Sequence, residues 1–298
     1  MNCKDRKGQV IYTDNDQDKF LEKLYGSTCG RFLLRFLIPP WISKFGGFLL
    51  SRSISRIGIK PFIRKNGLDM SQYESRKFHS YNDFFTRKIR PECRPIDMNP
   101  SHLIAPCDSR LTVYPITESS RFTIKNTEYT MESLLRDDSA AKEYEGGQLL
   151  LFRLTVQDYH RYCYPDSGKL SRIKQIPGVF HTVNPIANDY YPIYKENTRT
   201  YCYLESPVFG KMLMMEVGAL MVGKICNYEE NCQVVRGAEK GHFDFGGSTI
   251  ILCLPKESAV IDADISANSA AGFETRVKYG EKIGTACLAR PGTTCHEN

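Results

Sequence analysis

Apolar and polar positions change their rhythm along the chain, and three textures follow one another. Residues 1–20 are polar, with no apolar run, and are expected to be a loose lead-in without a signal peptide. The segment Arg31–Leu50 mixes large apolar residues with widely spaced cations. Phe32, Leu33, Phe36 and Leu37 recur at the spacing of one helix face. Pro39-Pro40 predicts a break, and Trp41, the only tryptophan, follows it. Ser80-Tyr-Asn-Asp83 reads as a capping-box variant opening a short helix, with Tyr81, Phe84, Phe85 and Ile89 on one face and an end at Arg90-Pro91. After about residue 100 the pattern becomes short apolar runs between Gly-rich turns. Leu149–Leu154, Lys211–Val217, Ala219–Val222 and Ser248–Leu254 are predicted strands, the middle two hinged at Gly218 and the last stopped by Pro255. The expected class is α+β: a helical N-terminal region, 1–75, ahead of a predominantly antiparallel β core, sandwich- or barrel-like, over 76–298.

Charge sharpens the first third. The 298 residues carry 40 Lys and Arg against 34 Asp and Glu. From Lys23 to Leu68 there is no acidic residue, and nine cations lie there: Lys23, Arg31, Arg35, Lys44, Arg52, Arg56, Lys60, Arg64 and Lys65. The rest of the chain is slightly acidic. A basic segment with Phe, Leu and Trp beside the cations describes a helix lying in a membrane interface, and an anionic partner. The competing reading is a helix packed on the protein's own core with arginines outward. No apolar stretch reaches the roughly 20 residues that span a bilayer. The 11 cysteines are scattered, with no Cys-x-x-Cys pair and no Cys/His spacing that fits a zinc site, so reduced thiols and no metal are expected.

Three short segments carry candidate chemistry. In Phe243-Asp-Phe-Gly246-Gly247-Ser248-Thr249 the glycines tolerate a strained peptide that a following serine can attack. The alternative is a plain turn between strands. His160, in Asp158-Tyr-His-Arg161 after a predicted strand, is one of six histidines and a candidate proton carrier. Asp108, in Ala105-Pro-Cys-Asp108-Ser-Arg110, sits at a predicted turn.

Taken in order, these segments resemble the phosphatidylserine decarboxylase family from about Phe78 to Gly284. Tyr81-Asn-Asp-Phe-Phe-Thr-Arg-Lys88 with Arg94-Pro95 is similar to the family's Phe-Phe-Thr-Arg block, Ala105–Asp108 to its Pro-Ala-Asp-Gly segment, and Asp158–Arg161 to its Asp-Tyr-His-Arg. Val183–Ala187, Asn197–Thr200, Val217–Ala219 with Val222-Gly223, and Gly246-Gly-Ser-Thr249 match later blocks, the last in a Gly-Gly-Ser-Thr version. The resemblance implies a proenzyme that cuts itself between Gly247 and Ser248 into a β subunit, 1–247, and an α subunit, 248–298. It implies that His160 deprotonates Ser248, that Asp108 orients His160, and that Ser248 becomes a pyruvoyl cofactor. That cofactor would form a Schiff base with phosphatidylserine, release CO2 and yield phosphatidylethanolamine, making the protein a carboxy-lyase of phospholipid biosynthesis. His160 is then also the first candidate to return a proton to the product. The basic segment, residues 24–65, becomes the docking face of a peripheral protein on the cytoplasmic side of the cell membrane.

Two departures matter. Many relatives carry a second histidine where this chain has Cys163, so its role is absent, moved to Cys163, or filled from elsewhere with His181 as the candidate, and the family's Asp-Gly is here Asp108-Ser109. His181 and Asn184 are candidate substrate contacts. The rival readings are a pyruvoyl-dependent decarboxylase of a soluble amino acid and a basic nucleic-acid-binding protein. The second is disfavoured because the cations lie on a helical, Pro-broken segment rather than a β platform.

Overall fold

The computed structural model describes residues 2–11, 15–124, 127–219, 224–246 and 248–287. Eleven strands form one large sheet: β1 (Cys3–Lys4), β2 (Val10–Ile11), β3 (Ser109–Pro115), β4 (Gln148–Leu154), β5 (Gly168–Leu170), β6 (Lys174–Ile176), β7 (Arg199–Ser206), β8 (Gly210–Gly218), β9 (Gln233–Val234), β10 (Ser248–Leu254) and β11 (Glu274–Val277). Their spatial order is β9-β5-β7-β8-β10-β4-β3-β11-β1-β2, with β6 also paired to β7. Every pairing is antiparallel except β1 with β11. The path is open, so the barrel expected as one form of the β core is not what these strands build.

The centre of the sheet explains its sequence. In β10, Ile250, Leu252 and Leu254 enter one apolar cluster with Phe152 and Met214, while Ile251 and Cys253 enter another with Leu151 and Met215. Successive side chains point to opposite faces, and here both faces are covered. A strand buried on both sides needs no polar alternation, which is why Ser248–Leu254 reads as a nearly continuous apolar run. All seven of its residues are buried. Of the two strands expected to hinge at Gly218, the first is β8; residues 220–222 of the second lie outside the described residues.

Five helices lie ahead of the strand Ser109–Pro115: α1 (Asn15–Gly26), α2 (Thr28–Leu37), α3 (Pro40–Leu50), α4 (Ile59–Asn66) and α5 (Tyr81–Phe85). Pro40 opens α3, and α2 and α3 meet at a 67° bend. A proline lacks the N–H that a continuous helix would need there, so the chain turns. Ser80 caps α5 by accepting from the Asp83 N–H at 3.1 Å. The helix ends at Phe85, short of the expected Arg90-Pro91.

The lead-in is ordered rather than loose. β1 extends the sheet beside β11, and Arg6 reaches Asp264 at 2.5 Å, Asp262 at 2.8 Å and Glu281 at 3.3 Å. One guanidinium facing three carboxylates pins a mostly polar segment whose one fully buried side chain is Cys3. The N-terminal region is also tied to the core. Leu21, Leu24, Tyr25 and Leu34 share a buried cluster with the central strands, and the Phe180 N–H donates to the Ile38 carbonyl at 3.0 Å.

Candidate functional site

Ser248 is the first residue of β10, paired with Leu154 of β4 on one side and Gly218 of β8 on the other. It is fully buried, and its Oγ has no hydrogen-bond partner among the described residues. Leaving a buried hydroxyl unpaired costs about 1–3 kcal/mol, so a chemical reason is called for. Gly246, two residues earlier, has φ 139°, a region closed to most side chains. Gly247, the expected residue on the other side of the cut, lies outside the described residues. Gly218 has its own reason to be glycine: a Cβ there would meet the Phe180 ring at 2.7 Å. Directly opposed residues of an antiparallel pair share a face, so Phe180 flanks the serine's side of the sheet.

His160 stands on the loop between β4 and the strand Arg161–Cys163. Its Nδ1 lies 2.9 Å from the Asp158 carbonyl oxygen. A carbonyl only accepts, so Nδ1 carries the proton. Nε2 is buried, has no hydrogen-bond partner, and has the Gly246 carbonyl near enough to favour its protonation. Burial nevertheless dominates and pushes the imidazole down to about 3, with the Arg87 cation adding to the push and the Asp158 and Gly246 carbonyls opposing it. The ring is therefore neutral near pH 7, with its one bare lone pair beside the segment that leads into Ser248. Phe85 of α5 packs on it at 4.2 Å between centroids. The short helix thus has a role in the site: it supplies the apolar wall that keeps the histidine uncharged.

Asp108 does not touch His160. Its carboxylate is held bidentately by Arg94, at 2.6 Å from Nη2 and 2.8 Å from Nε, and accepts from the Tyr279 N–H at 2.8 Å. The contact expected of Asp108 on the imidazole is made instead by a backbone carbonyl, which no side-chain motif encodes. Cys163, in the position of the relatives' second histidine, is fully buried and its thiol is pushed up to about 12 by burial. It has no proton to exchange near neutral pH.

His181 is buried, stacked on Tyr191 at 4.6 Å, with Nε2 3.3 Å from Glu196. Burial lowers it to about 4. The Asn184 N–H donates to Thr182 Oγ1 at 3.2 Å. The loop holding both residues is anchored by Asn197, whose side chain accepts from the His181 N–H and donates to the carbonyls of His181 and Gly218, each at 2.8 Å. Asn197 therefore links this loop to the strand position opposite Ser248. The sequence offered it only as part of a matching block. Arg87, fully buried with its Nε unpaired, is a second residue whose part was not legible.

A separate surface lies on the N-terminal helices. Phe32, Leu33, Phe36, Trp41, Phe45, Phe48 and Leu49 are exposed, and Ile54 and Ile57 of the turn Ser53–Gly58 are each 76% exposed. Only Leu34 of α2 faces the core. The apolar residues point outward, so the reading in which they pack on the protein's own core does not describe this segment. Arg52 stacks over the Phe48 ring at 4.1 Å, and Ser53, Arg56 and Lys60 line a shallow cavity with Ile54 and Ile57. No single helix among the described residues is long and apolar enough to cross a membrane; α2 and α3 pass that test of length and composition only as a bent pair.

Ser248 is a buried serine whose hydroxyl has no hydrogen-bond partner among the described residues; it is entered from a glycine with positive φ, and a buried, neutral histidine stands on the loop after β4. Residues 81–285 match the family described as Phosphatidylserine decarboxylase. The chain is 44% identical over 277 residues to phosphatidylserine decarboxylase proenzyme 2 of Clostridium acetobutylicum, covering 93% of this chain and 95% of the relative. It is 39% identical over 274 residues to the phosphatidylserine decarboxylase proenzyme of Clostridium botulinum, covering 90% and 93%. For that of Clostridium perfringens the figures are 40% over 272 residues, 89% and 92%. The chain belongs to the phosphatidylserine decarboxylase family.

Proposed function

We propose that this chain is a phosphatidylserine decarboxylase proenzyme that cuts itself between Gly247 and Ser248 and works at a membrane surface. The observation that carries the reading is that Ser248 Oγ and His160 Nε2 are both buried without a hydrogen-bond partner among the described residues, with the Gly246 backbone beside the histidine. The bare Nε2 accepts the hydroxyl proton as Oγ attacks the Gly247 carbonyl, and the peptide becomes an ester as the proton passes to the Ser248 nitrogen. Loss of the Ser248 α-proton expels the Gly247 carboxylate and leaves a dehydroalanine terminus, which water converts to a pyruvoyl group with release of ammonia. The products are a β subunit, 1–247, and an α subunit, 248–298, held together because β10 stays hydrogen-bonded between β4 and β8.

The pyruvoyl ketone supplies an electron sink for loss of CO2 from an amino acid head group. The residues that would generate it fit that use: Ser248 and His160 are both buried, and the imidazole, walled by Phe85, is neutral and ready to hold or return a proton. His181 and Asn184, on the loop that Asn197 anchors opposite Ser248, are the proposed contacts to the substrate head group. Asp108 acts as a positioning residue, fixing the Arg94 and Tyr279 segments around the loop of His160.

Residues 24–65 serve as the docking face and 76–298 as the catalytic region, whose sheet the first strands of the chain extend. The outward Phe, Trp and Ile side chains with interspersed cations suit a peripheral protein on an anionic leaflet, where each Lys or Arg contributes about 1 kcal/mol. The same exposed apolar patch favours a lipid substrate over a soluble amino acid. Purified protein given phosphatidylserine vesicles should release CO2 and form phosphatidylethanolamine, and should leave free serine untouched. Turnover of free amino acids with none of the lipid would overturn the substrate.

A further inference from the structure

Next to the self-cleavage site but using none of its residues, three side chains with metal-binding chemistry converge on a small sheet formed by Arg161–Cys163, Ile225–Asn227 and Glu239–Phe243. Cys226 and His242 are direct cross-strand partners, so their side chains share a face. Asp244 follows by two residues, with an Oδ1 3.6 Å from His242 Nε2. The Cys226 sulfur, a His242 nitrogen and an Asp244 oxygen all lie within 4.8 Å of one another, and all three residues are partly open to solvent. Sixteen positions of sequence separate the cysteine from the histidine, which is why no spacing motif revealed them.

The surroundings fix the donors. The Tyr228 hydroxyl lies 2.6 Å from His242 Nδ1 and 2.9 Å from Glu239. The Glu239 carboxylate, paired with Arg161, only accepts, so Tyr228 donates to it and takes a hydrogen bond from Nδ1–H. That leaves Nε2 as the nitrogen turned toward Asp244. Asn82 donates to Asp244 Oδ1 at 3.2 Å while accepting from the Phe245 N–H at 3.0 Å. Outer partners that orient both histidine and carboxylate are the arrangement metal sites use.

We propose that Cys226, His242 and Asp244 bind a divalent transition metal ion of the zinc class. A thiolate, an imidazole and a carboxylate form a donor set that zinc accepts and that magnesium and calcium disfavour. Thiolate and carboxylate together neutralise a dication. Zinc–ligand bonds of about 2.0–2.3 Å put tetrahedral donors roughly 3.5 Å apart, so closing the site takes about an ångström. On binding, Cys226 releases its thiol proton and His242 Nε2, which faces Asp244, releases its proton and offers the lone pair, both protons passing to solvent. The fourth position faces solvent and is left to water. The site lies just ahead of Gly246, within the 1–247 piece, and does not depend on whether the chain is cut.

The test uses full-length protein stripped with a chelator and titrated with Co2+, then with Zn2+. One Co2+ per chain should bind with a thiolate-to-cobalt charge-transfer band, and Zn2+ should erase it. The near-isosteric Cys226→Ser should abolish the band, His242→Ala should weaken binding at least tenfold, Tyr228→Phe should weaken it about tenfold, and Cys232→Ser should change nothing. Absence of a thiolate band in the wild type, or its persistence in Cys226→Ser, overturns the proposal.

Discussion

His160 Nδ1 donates to the Asp158 carbonyl oxygen across 2.9 Å, and this contact decides what the other ring nitrogen can do. With the proton fixed on Nδ1 and the ring kept neutral by burial, Nε2 can only accept. Replacing His160 by Ala should slow self-cleavage at least about 100-fold, the usual contribution of a positioned base, and should impair turnover in any fraction that is cut. Because burial holds the imidazole down to about 3, it is already deprotonated throughout the neutral range. Self-cleavage followed on a denaturing gel should therefore be nearly flat from about pH 5 to pH 8 and should fall only as pH approaches the depressed value. An inflection near the ordinary histidine value would mean that the base is exposed or is another residue.

Asp108 and Arg94 should behave as one unit. Each is about nine-tenths buried in its side chain, and the pair closes at 2.6 Å. Removing either partner leaves an uncompensated buried charge, worth about 3–5 kcal/mol. Asp108→Ala and Arg94→Ala should lower the melting temperature similarly and slow self-cleavage together. An Arg94→Ala protein that cuts normally beside an inert but stable Asp108→Ala would restore a direct role for the aspartate on the histidine.

Docking combines charge with exposed apolar side chains. Reversing Arg31, Arg35, Arg52 and Arg56 should weaken binding to anionic vesicles by at least about 4 kcal/mol at low salt, and added salt should weaken the wild type in the same direction. Trp41→Ala with Ile54→Ala and Ile57→Ala should weaken it without changing the salt slope. Binding indifferent to salt would assign docking to the apolar anchors alone.

Much of this was legible in the chain. The buried strand Ser248–Leu254 announces itself as an apolar run, the helix break at Pro39-Pro40 follows from proline's missing donor, and the acid-free stretch marks the exposed face. Ser248 and His160 were readable only through the ordered series of segments that resembles the family; alone, Gly-Gly-Ser reads as a turn and a lone histidine as a core residue. What stayed hidden depended on distance in sequence. The partner of His160 is a main-chain carbonyl, Asn197 reaches Gly218 across a sheet, Cys226 meets His242 only through strand register, and Arg6 orders the lead-in through carboxylates more than 250 positions away. Local pattern carries no record of such contacts; they exist only once the sheet has formed.

Intact mass spectrometry of the purified full-length chain, beside Ser248→Ala, tests the central claim most directly. The wild type should give two pieces, 1–247 and 248–298, the smaller about 17 Da lighter than its encoded mass because a pyruvoyl group replaces the N-terminal serine with net loss of ammonia. Ser248→Ala should give one uncut chain. A cut Ser248→Ala protein, or a wild type whose smaller piece begins with an unmodified serine, would contradict the account.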